Sequence, residues 1–152
     1  MAADRDAIAI RNARPSDLAS AAALLTDTSL PVDGLAARFG EGYVVAEQGG
    51  RLIGLEGVEV YGRFGLLRSA AVAAQHRGTG LGVRLTEDRI AWAKRRNLEA
   101  LYLLTTTAAP FFATLGFLAV PRASAPAEVQ ACGEFSIICP STAVCMRLDL
   151  AR

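Results

Sequence analysis

The sequence carries almost no excess of either charge. Its 16 Lys and Arg residues are balanced by 15 Asp and Glu residues, which leaves a formal net charge of +1 at pH 7. Proteins that bind nucleic acid usually show a basic surplus, so the charge balance gives no reason to expect such a partner. No apolar run is long enough to span a bilayer, and residues 1–6 have mixed polarity rather than a signal-peptide core. We therefore expect a cytoplasmic protein with no nucleic-acid or membrane partner.

Residues that bind metals or form disulfides are also scarce. His76 is the only histidine, and the three cysteines, Cys132, Cys139 and Cys145, lack the close spacing of zinc sites. Three cysteines cannot all pair within one chain, so we expect reduced, mostly buried thiols. The sequence thus predicts no metal site, and His76 is interpreted as a solvated turn residue.

The apolar pattern predicts one domain over residues 1–152, because this length allows a single substantial core. Short alternating segments separated by glycine-rich turns predict an antiparallel meander of strands at 43–47, 52–61 and 66–72, after a first strand at 7–12. Helices are expected at 18–25, where Pro15-Ser16-Asp17 marks a start, and at 33–39.

The second half of the chain predicts a parallel step in the sheet. Residues 100–104 form a continuous apolar run, which is typical of a strand buried on both faces. Strand 66–72, a helix from 81 to about 96 and this strand form a βαβ crossover. A helix at 108–115, a strand at 117–120, a loop over 121–140 and a last strand at 143–150 follow. These patterns predict an α/β (α+β) fold with a mixed, mostly antiparallel sheet of six to seven strands and about four helices.

The most informative segment is the glycine-rich loop that opens the helix at residue 81. Alternating glycines let the backbone turn tightly, and the first N–H groups of the helix attract negative charge. The loop therefore predicts a site for phosphate or pyrophosphate. A dinucleotide fold would need G-x-G-x-x-G after the first strand, and a nucleotide-hydrolysing loop would need Gly-Lys-Ser/Thr, so neither fits. The loop reads Arg77-Gly78-Thr79-Gly80-Leu81-Gly82.

The arrangement Arg77-x-x-Gly80-x-Gly82, after a strand and at the start of a long helix, resembles the signature of the GNAT superfamily of acyl-CoA-dependent N-acyltransferases. The strand order and the exit Leu115-Gly116-Phe117 are similar to that fold as well. Other segments resemble the N-acetyltransferases associated with arsenic resistance. These segments are residues 30–35 (LPVDGL), 66–69 (LLRS), 101–108 (LYLLTTTA) and 134–136 (EFS) with 139–140 (CP).

The resemblance implies that acetyl-CoA is the co-substrate and that backbone N–H groups of the loop hold its pyrophosphate. The main chain of Ala70, Ala71 and Val72 would pair with the pantetheine arm, and an N–H assigned to Val72 would polarise the thioester carbonyl. The neighbouring strands would separate to admit the cofactor. The loop residues are Arg77, Gly78, Thr79, Gly80, Leu81 and Gly82, and the other side of the arm would be lined by Thr105, Thr107, Ala109 and Phe112.

Acyl transfer to an amine requires a base, and the strand that enters the loop has no carboxylate. Glu59 on the preceding strand is the first candidate base and Glu56 is the alternative. The competing interpretation is that both glutamates are solvated on an open face of the sheet.

The sequence has no tyrosine at the position expected for the general acid. Phe112 occupies the position where many members of the superfamily have a tyrosine that protonates the thiolate. Solvent, Tyr61, Thr107 or Cys139 could substitute for it. Tyr102 is not a candidate, because the apolar run around it predicts core packing with a satisfied hydroxyl.

Three residues are candidates for binding the substrate. Arg68 lies inside an apolar strand, where a charge is rarely unpaired when buried, and it could grip a carboxylate or arsonate-like oxyanion. An internal ion pair with Glu59 or Glu56 explains Arg68 equally well. Arg122 and Ser136 lie in the irregular segment before the last strand, where loops commonly carry binding groups.

The function expected from these residues and the resemblance is acetyl transfer to the primary amine of a small molecule, such as an amino-acid-like or organoarsenical compound. The alternatives are a non-catalytic acyl-CoA-binding protein on the same scaffold and a protein N-acetyltransferase. An exposed last strand would also allow a homodimer.

Overall fold

A computed structural model describes residues 7–133, 135 and 141–150. Its strands are β1 (Ala9–Asn12), β2 (Tyr43–Gln48), β3 (Arg51–Tyr61), β4 (Phe64–Val72), β5 (Ala100–Thr105), β6 (Leu118–Ala119) and β7 (Val144–Asp149). The α-helices of the described residues are α1 (Leu18–Asp27), α2 (Leu35–Arg38), α3 (Leu81–Arg95), α4 (Ala109–Thr114) and α5 (Ala127–Gln130).

The strands form one mixed sheet in the order β1-β2-β3-β4-β5-β7-β6. The pairs β1–β2, β2–β3, β5–β7 and β6–β7 are antiparallel, whereas β4 and β5 are parallel. Since α3 connects β4 to β5, the parallel pair is the predicted βαβ crossover. The predicted fold class, a mostly antiparallel sheet with one parallel step, is therefore confirmed.

The chain divides into two compact units. The first unit comprises Met1–Gly57 and Ser69–Arg89, and the second comprises Val58–Arg68 and Ile90–Arg152. Strands β3 and β4 and helix α3 each begin in one unit and end in the other. The interpretation of the chain as one continuous domain stays a prediction.

In the first unit, the strands are covered on both faces, as the alternation of side chains along a strand requires. Val45 and Leu55 are paired across β2 and β3, and both pack in one cluster with Leu25 of α1 and Leu35 of α2. The opposite face carries a second cluster that includes Leu85 of α3. This face of the sheet therefore supports the helix that follows the glycine loop.

Gly54 on β3 allows α3 to approach the sheet closely. A Cβ atom at this position would lie 2.9 Å from Cδ1 of Leu85 and 3.4 Å from Cδ2 of Leu81. A distance below 3.0 Å requires one of the two atoms to move, so an alanine at Gly54 would displace the end of the Leu85 side chain. The glycine thus leaves room for the leucines of α3 to pack directly on the strand.

The second unit has its own core, in which Leu66, Tyr102, Val129 and Cys145 are buried. The hydroxyl of Tyr102 accepts a hydrogen bond from Arg147. Tyr102 is therefore a core residue with a satisfied hydroxyl, as predicted.

Two expectations for the end of the chain are wrong. The segment predicted as a loop contains α5 and a 3-10 turn at Arg122–Ser124, because Val129 supplies a buried anchor for a four-residue helix. The last strand is not exposed at an edge, since β7 pairs with β5 on one side and with β6 on the other. β6 pairs with β7 only at Arg147 and Met146, and the expected homodimer stays a prediction. Within the described residues, no helix has the length and apolarity needed to cross a membrane.

Candidate active site

The backbone conformation of the glycine loop depends on two of its three glycines. Gly78 and Gly80 have φ values of +78° and +85°, in the left-handed region that L-residues rarely adopt. Both are exposed, and a Cβ atom at either would meet nothing within 4 Å. Gly82 lies within α3 and is not among the residues with positive φ. Open space beside Gly78 and Gly80 suits the close approach of a ligand.

The loop is tied to the hairpin formed by β2 and β3. Nε2 of His76, the last residue of a 3-10 turn at Ala74–His76, lies 2.8 Å from Oε1 of Gln48. The hydroxyl of Thr79 donates to the carbonyl of His76 at 2.5 Å. His76 lies in a turn, as expected, but it is half-buried and its Nδ1 is enclosed, so the side chain is not fully solvated. The histidine instead anchors the start of the loop.

The amino end of α3 provides the donors of the predicted anion site. The first N–H groups of any helix have no partner within that helix, and the helix dipole adds partial positive charge there. Leu81, the first residue of α3, is buried, whereas Arg77 at the start of the loop is exposed. The first turn of the helix is therefore anchored in the protein interior, and the positive charge of Arg77 lies on the solvent side. The predicted loop residues are therefore brought together around one helix end.

Strand β4 changes course before it reaches the loop. Ser69 has a φ of +59°, although it is neither a glycine nor in a turn. The parallel pairing with β5 covers only Phe64–Leu66 against Ala100–Tyr102. Beyond Ser69, Ala71 is buried whereas Ala70 and Val72 are half-buried. A strand residue in the left-handed region is costly, and such outliers cluster at functional sites.

Glu59 lies in a buried polar cluster within the second unit. Its Oε1 accepts a hydrogen bond of 2.8 Å from the hydroxyl of Tyr61, and its Oε2 lies 3.3 Å from Nη1 of Arg68. Glu59 and Arg68 are only 5% and 6% exposed. Of the two partners considered for Arg68, the structure forms the ion pair with Glu59. Tyr61, which sequence reasoning treated only as a substitute acid, belongs to this cluster because residues two apart on a strand share a face.

Glu56 has a different environment, since three positions along a strand separate it from Glu59 and place it on the opposite face. It is 1% exposed, and its Oε1 accepts a hydrogen bond of 2.9 Å from the hydroxyl of Thr86 on α3. Burial raises the pKa of Glu56 to about 8, and the bond from Thr86 and the charge of Arg89 offset this only in part. Both glutamates are enclosed, so the interpretation that they are solvated on an open face is wrong.

The residues assigned to the far side of the cofactor arm lie in the second unit. The hydroxyl of Thr105 accepts a hydrogen bond of 2.9 Å from the N–H of Ala108 at the start of α4. Thr107 is exposed, Ala109 is half-buried, and Phe112 packs edge-on against Phe117 with ring centroids 5.6 Å apart. Phe112 is thus a core residue that has no hydroxyl to donate. The assignment of these residues to the cofactor stays a prediction.

Arg122 is engaged with the segment that precedes the last strand. Its Nη2 donates to the carbonyl of Phe135 at 2.6 Å, and its guanidinium lies 5.5 Å from the centre of that ring. Ser136, the other predicted substrate residue of this segment, lies outside the described residues, as do Glu134 and Cys139. Arg122 therefore connects the 3-10 turn at Arg122–Ser124 to Phe135.

The two described cysteines, Cys132 and Cys145, are buried, and they form no disulfide within the described residues. Burial raises the pKa of the Cys145 thiol, and the nearby charge of Arg122 lowers it by a smaller amount. Both belong to the core cluster of the second unit. Their position in this cluster suits them to serve as small apolar side chains.

Several solved structures are similar to this chain. N-acetylglutamate synthase from Neisseria gonorrhoeae, complexed with coenzyme A and N-acetyl-glutamate, has a TM-score of 0.81 and 21% identity, covering 99% of this chain and 37% of that one. Rv2747 from Mycobacterium tuberculosis, in complex with CoA, has a TM-score of 0.78 and 24% identity, covering 94% and 99%. The ribosomal-protein-S18-alanine N-acetyltransferase from Escherichia coli has a TM-score of 0.73 and 21% identity, covering 96% of each chain.

These similarities establish the fold, and this chain spans only about a third of the synthase. No curated protein sequence matches it significantly. The model of the acetyltransferase (GNAT) family matches residues 12–117, which include β2 to β5, the glycine loop and α4. The chain therefore belongs to the acetyltransferase (GNAT) family.

Proposed function

We propose that this protein is an acetyl-CoA-dependent N-acetyltransferase that acts on the primary amine of a small molecule. The observation that carries the proposal is the exposed pair of left-handed glycines, Gly78 and Gly80, directly before the amino end of α3. A backbone of this kind presents several N–H groups to one anion, and it leaves room that a side chain would fill. Membership of the acetyltransferase (GNAT) family makes the pyrophosphate of acetyl-CoA the anion that fits best.

Each part of the first unit has a defined role in this proposal. The N–H groups from Gly78 to Gly82 bind the pyrophosphate, and Arg77 adds a positive charge on the solvent side. The left-handed backbone at Ser69 directs the main chain of Ala70–Val72 along the pantetheine arm. The N–H of Val72 donates to the thioester carbonyl, where negative charge develops during acyl transfer.

Glu59 supplies the base in the second unit. The acceptor must lose a proton before its nitrogen attacks the thioester carbonyl, and Glu59 receives this proton directly or through one water. The new C–N bond forms as the C–S bond breaks, the amine nitrogen releases its second proton to solvent, and the departing thiolate takes a proton from solvent. Tyr61 and Arg68 each hold one oxygen of the Glu59 carboxylate, so they fix its orientation.

The acceptor that we propose carries an oxyanion next to its amine, as amino acids and organoarsenical analogues do. Arg68, whose guanidinium can bind a carboxylate or arsonate, lies beside the proposed base. The similar Neisseria synthase was solved with N-acetyl-glutamate, which is an acylated amino acid. The resemblance to acetyltransferases of arsenic resistance extends the range of candidate acceptors to arsenic compounds.

A second candidate function is acyl-CoA binding without catalysis. It is favoured by Phe112, because this buried ring occupies the position of the usual proton donor and has no hydroxyl. Transfer to a protein N-terminus is a further alternative, since the similar Escherichia coli enzyme is named for a ribosomal protein.

A thiol-release assay with acetyl-CoA tests the proposal against both alternatives. The panel should contain amino acids, amines that carry arsonate or phosphonate, simple amines and short peptides. We expect turnover with small amines that carry an oxyanion. Glu59→Gln should lower kcat by roughly 10²–10⁴-fold, the usual contribution of a general base. Glu87→Gln, which changes an exposed glutamate of α3, serves as the matched control and should leave kcat unchanged.

Three results would contradict parts of the proposal. Calorimetric binding of CoA without turnover of any acceptor would establish the non-catalytic alternative. Turnover of peptides alone would identify a protein acetyltransferase. Wild-type activity in Glu59→Gln would remove Glu59 as the base.

A further inference from the structure

The inner face of α3 is held against the strands of the first unit at three successive levels. Leu81 and Leu85 pack on Gly54, the hydroxyl of Thr86 donates to Glu56, and Nη1 of Arg89 donates to the carbonyl of Gly42 at 2.8 Å. Thr86 and Arg89 are 0% and 2% exposed, which is unusual for polar residues on a helix. The helix is therefore fixed by two buried polar contacts in addition to its apolar side chains.

The bond between Thr86 and Glu56 is the polar contact closer to the glycine loop. Thr86 follows Leu81 by five positions, which corresponds to about 7.5 Å along a helix. Leucines that pack on a smooth strand surface permit small axial shifts, whereas a hydrogen bond is directional and weakens steeply with misalignment. This bond can therefore set the axial position of the helix end more sharply than apolar packing does.

Among the described residues, the Glu56 carboxyl has only this one hydrogen-bond partner to hold it in place. Its Oε2 is buried and, within the same part of the chain, has no hydrogen-bond partner. A buried carboxyl with one unsatisfied oxygen costs free energy, and an apolar residue of similar size would avoid the cost. A gain in stability therefore does not explain why a carboxyl is buried at Glu56. A role as the catalytic base does not explain it either, because the base that we propose is Glu59.

We propose that Glu56 and Thr86 are positioning residues for the cofactor: their hydrogen bond fixes the amino end of α3, and with it the N–H groups from Gly78 to Gly82, at the location that binds the CoA pyrophosphate. This inference rests on the proposed function, because it takes CoA to be the ligand of the loop. Neither residue contacts the cofactor, and both act through the position of the helix.

Thr86→Val tests this inference, since it keeps the shape of the side chain and removes the donor. We expect the Kd of CoA to rise about tenfold, while kcat at saturating acetyl-CoA stays within twofold of wild type. Hydrogen exchange of residues 78–84 in the free protein should become faster, because the helix end is less well fixed. Thr86→Ser restores the hydroxyl and should restore both the Kd and the exchange rates.

Glu56→Leu removes the acceptor of the same bond and guards against a folding defect in Thr86→Val. The hydroxyl of Thr86 can then bond to a carbonyl of its own helix, so this variant should fold and show the same tenfold rise in Kd. Thr28→Val is the matched control, because the hydroxyl of Thr28 donates to the carbonyl of Leu24 in α1 at 2.8 Å, away from the loop. It should lose stability without a change in Kd.

The outcome separates a positioning role from a structural one. If Thr86→Val and Glu56→Leu change stability but leave both the Kd of CoA and the exchange of residues 78–84 at wild-type values, the inference is overturned. If the wild-type protein binds no CoA, the proposed function fails instead. The exchange measurement needs no cofactor and still decides whether the bond fixes the helix end.

Discussion

Glu56 and Glu59 lie three positions apart on β3 and are both buried, yet they meet different partners. Glu59 is held by Tyr61 and paired with the positive charge of Arg68, so its carboxylate is compensated. Glu56 accepts one hydrogen bond from a neutral hydroxyl, and burial raises its pKa to about 8. The Glu59 carboxylate is therefore paired with a positive charge, whereas the burial of Glu56 favours its protonated form.

The protonated state of Glu56 predicts how stability depends on pH. From pH 4.5, the ordinary pKa of the group, to about 8, the folded state keeps a proton that the unfolded state has released. Stability contributed by this group is thus complete below pH 4.5 and is lost as the pH rises to about 8. The loss can reach about 5 kcal/mol, given 1.36 kcal/mol for each unit of a pKa shift from 4.5 to about 8.

Glu56→Gln should therefore flatten the pH dependence of the free energy of unfolding between pH 5 and 8. Urea denaturation of wild type and Glu56→Gln at several pH values in this range gives the difference between their free energies of unfolding. The contributions of the other titrating groups are common to both proteins and cancel in this difference. Glu87→Gln makes the same substitution at an exposed position of α3 and serves as the control for exchanging a glutamate for a glutamine. A Glu56→Gln profile that is parallel to that of wild type would mean that Glu56 ionises normally in the folded protein.

At the scale of elements, the glycine loop and the turn between β2 and β3 offer a matched pair of positions. Gly80 and Gly50 have φ values of +85° and +79°, both are exposed, and a Cβ atom at either would meet nothing within 4 Å. An alanine at either position therefore carries the same backbone penalty, about 1–2 kcal/mol, without a steric clash in the free protein. Only Gly80 lies in the loop that we propose for pyrophosphate.

We expect Gly80→Ala and Gly50→Ala to lower stability by a similar amount, about 1 kcal/mol by denaturant unfolding. Gly80→Ala should also raise the Kd of CoA at least tenfold, because the methyl group occupies the space that the ligand approaches. Gly50→Ala should leave the Kd unchanged. Equal CoA affinity in the two variants would show that the loop does not contact the cofactor.

The same elements show how far the sequence alone leads. Alternating apolar residues and glycine turns predicted β2, β3 and β4, since period-two patterns report directly on a sheet face. Helix α5 was missed because four residues after a proline carry no helical period, and its formation depends on burial of Val129. The left-handed backbone of Ser69 could not be predicted either, because no feature of an apolar strand sequence indicates which residue has a positive φ.

For the candidate site, the sequence predicted the loop but not the partners of its polar residues. Arg77-x-x-Gly80-x-Gly82 is a local pattern, so the anion site could be inferred from the order of the residues alone. The partner of Arg68 could not, because Glu56 and Glu59 were both within plausible reach along the chain. Thr86 escaped notice entirely, since a threonine within a helix has no sequence signal for a bond to a distant strand.

At the scale of the whole molecule, two compact units share three continuous elements. β3, β4 and α3 each pass from one unit into the other without a break in secondary structure. If one unit unfolded alone, each of these elements would be interrupted and would expose backbone hydrogen-bonding groups where it is interrupted. Such exposure is costly for strands and helices alike. Units joined by a flexible linker carry no such cost and can melt separately.

We therefore expect a single cooperative unfolding transition, in line with one domain over the chain. For 152 residues, the calorimetric enthalpy near 60 °C should be about 100 kcal/mol, and the van't Hoff enthalpy should equal it. Differential scanning calorimetry measures both, and Gly50→Ala, which weakens only the first unit, should shift the entire peak to lower temperature. A split peak, or a van't Hoff enthalpy near half the calorimetric value, would show that the units unfold independently and that the chain behaves as two domains.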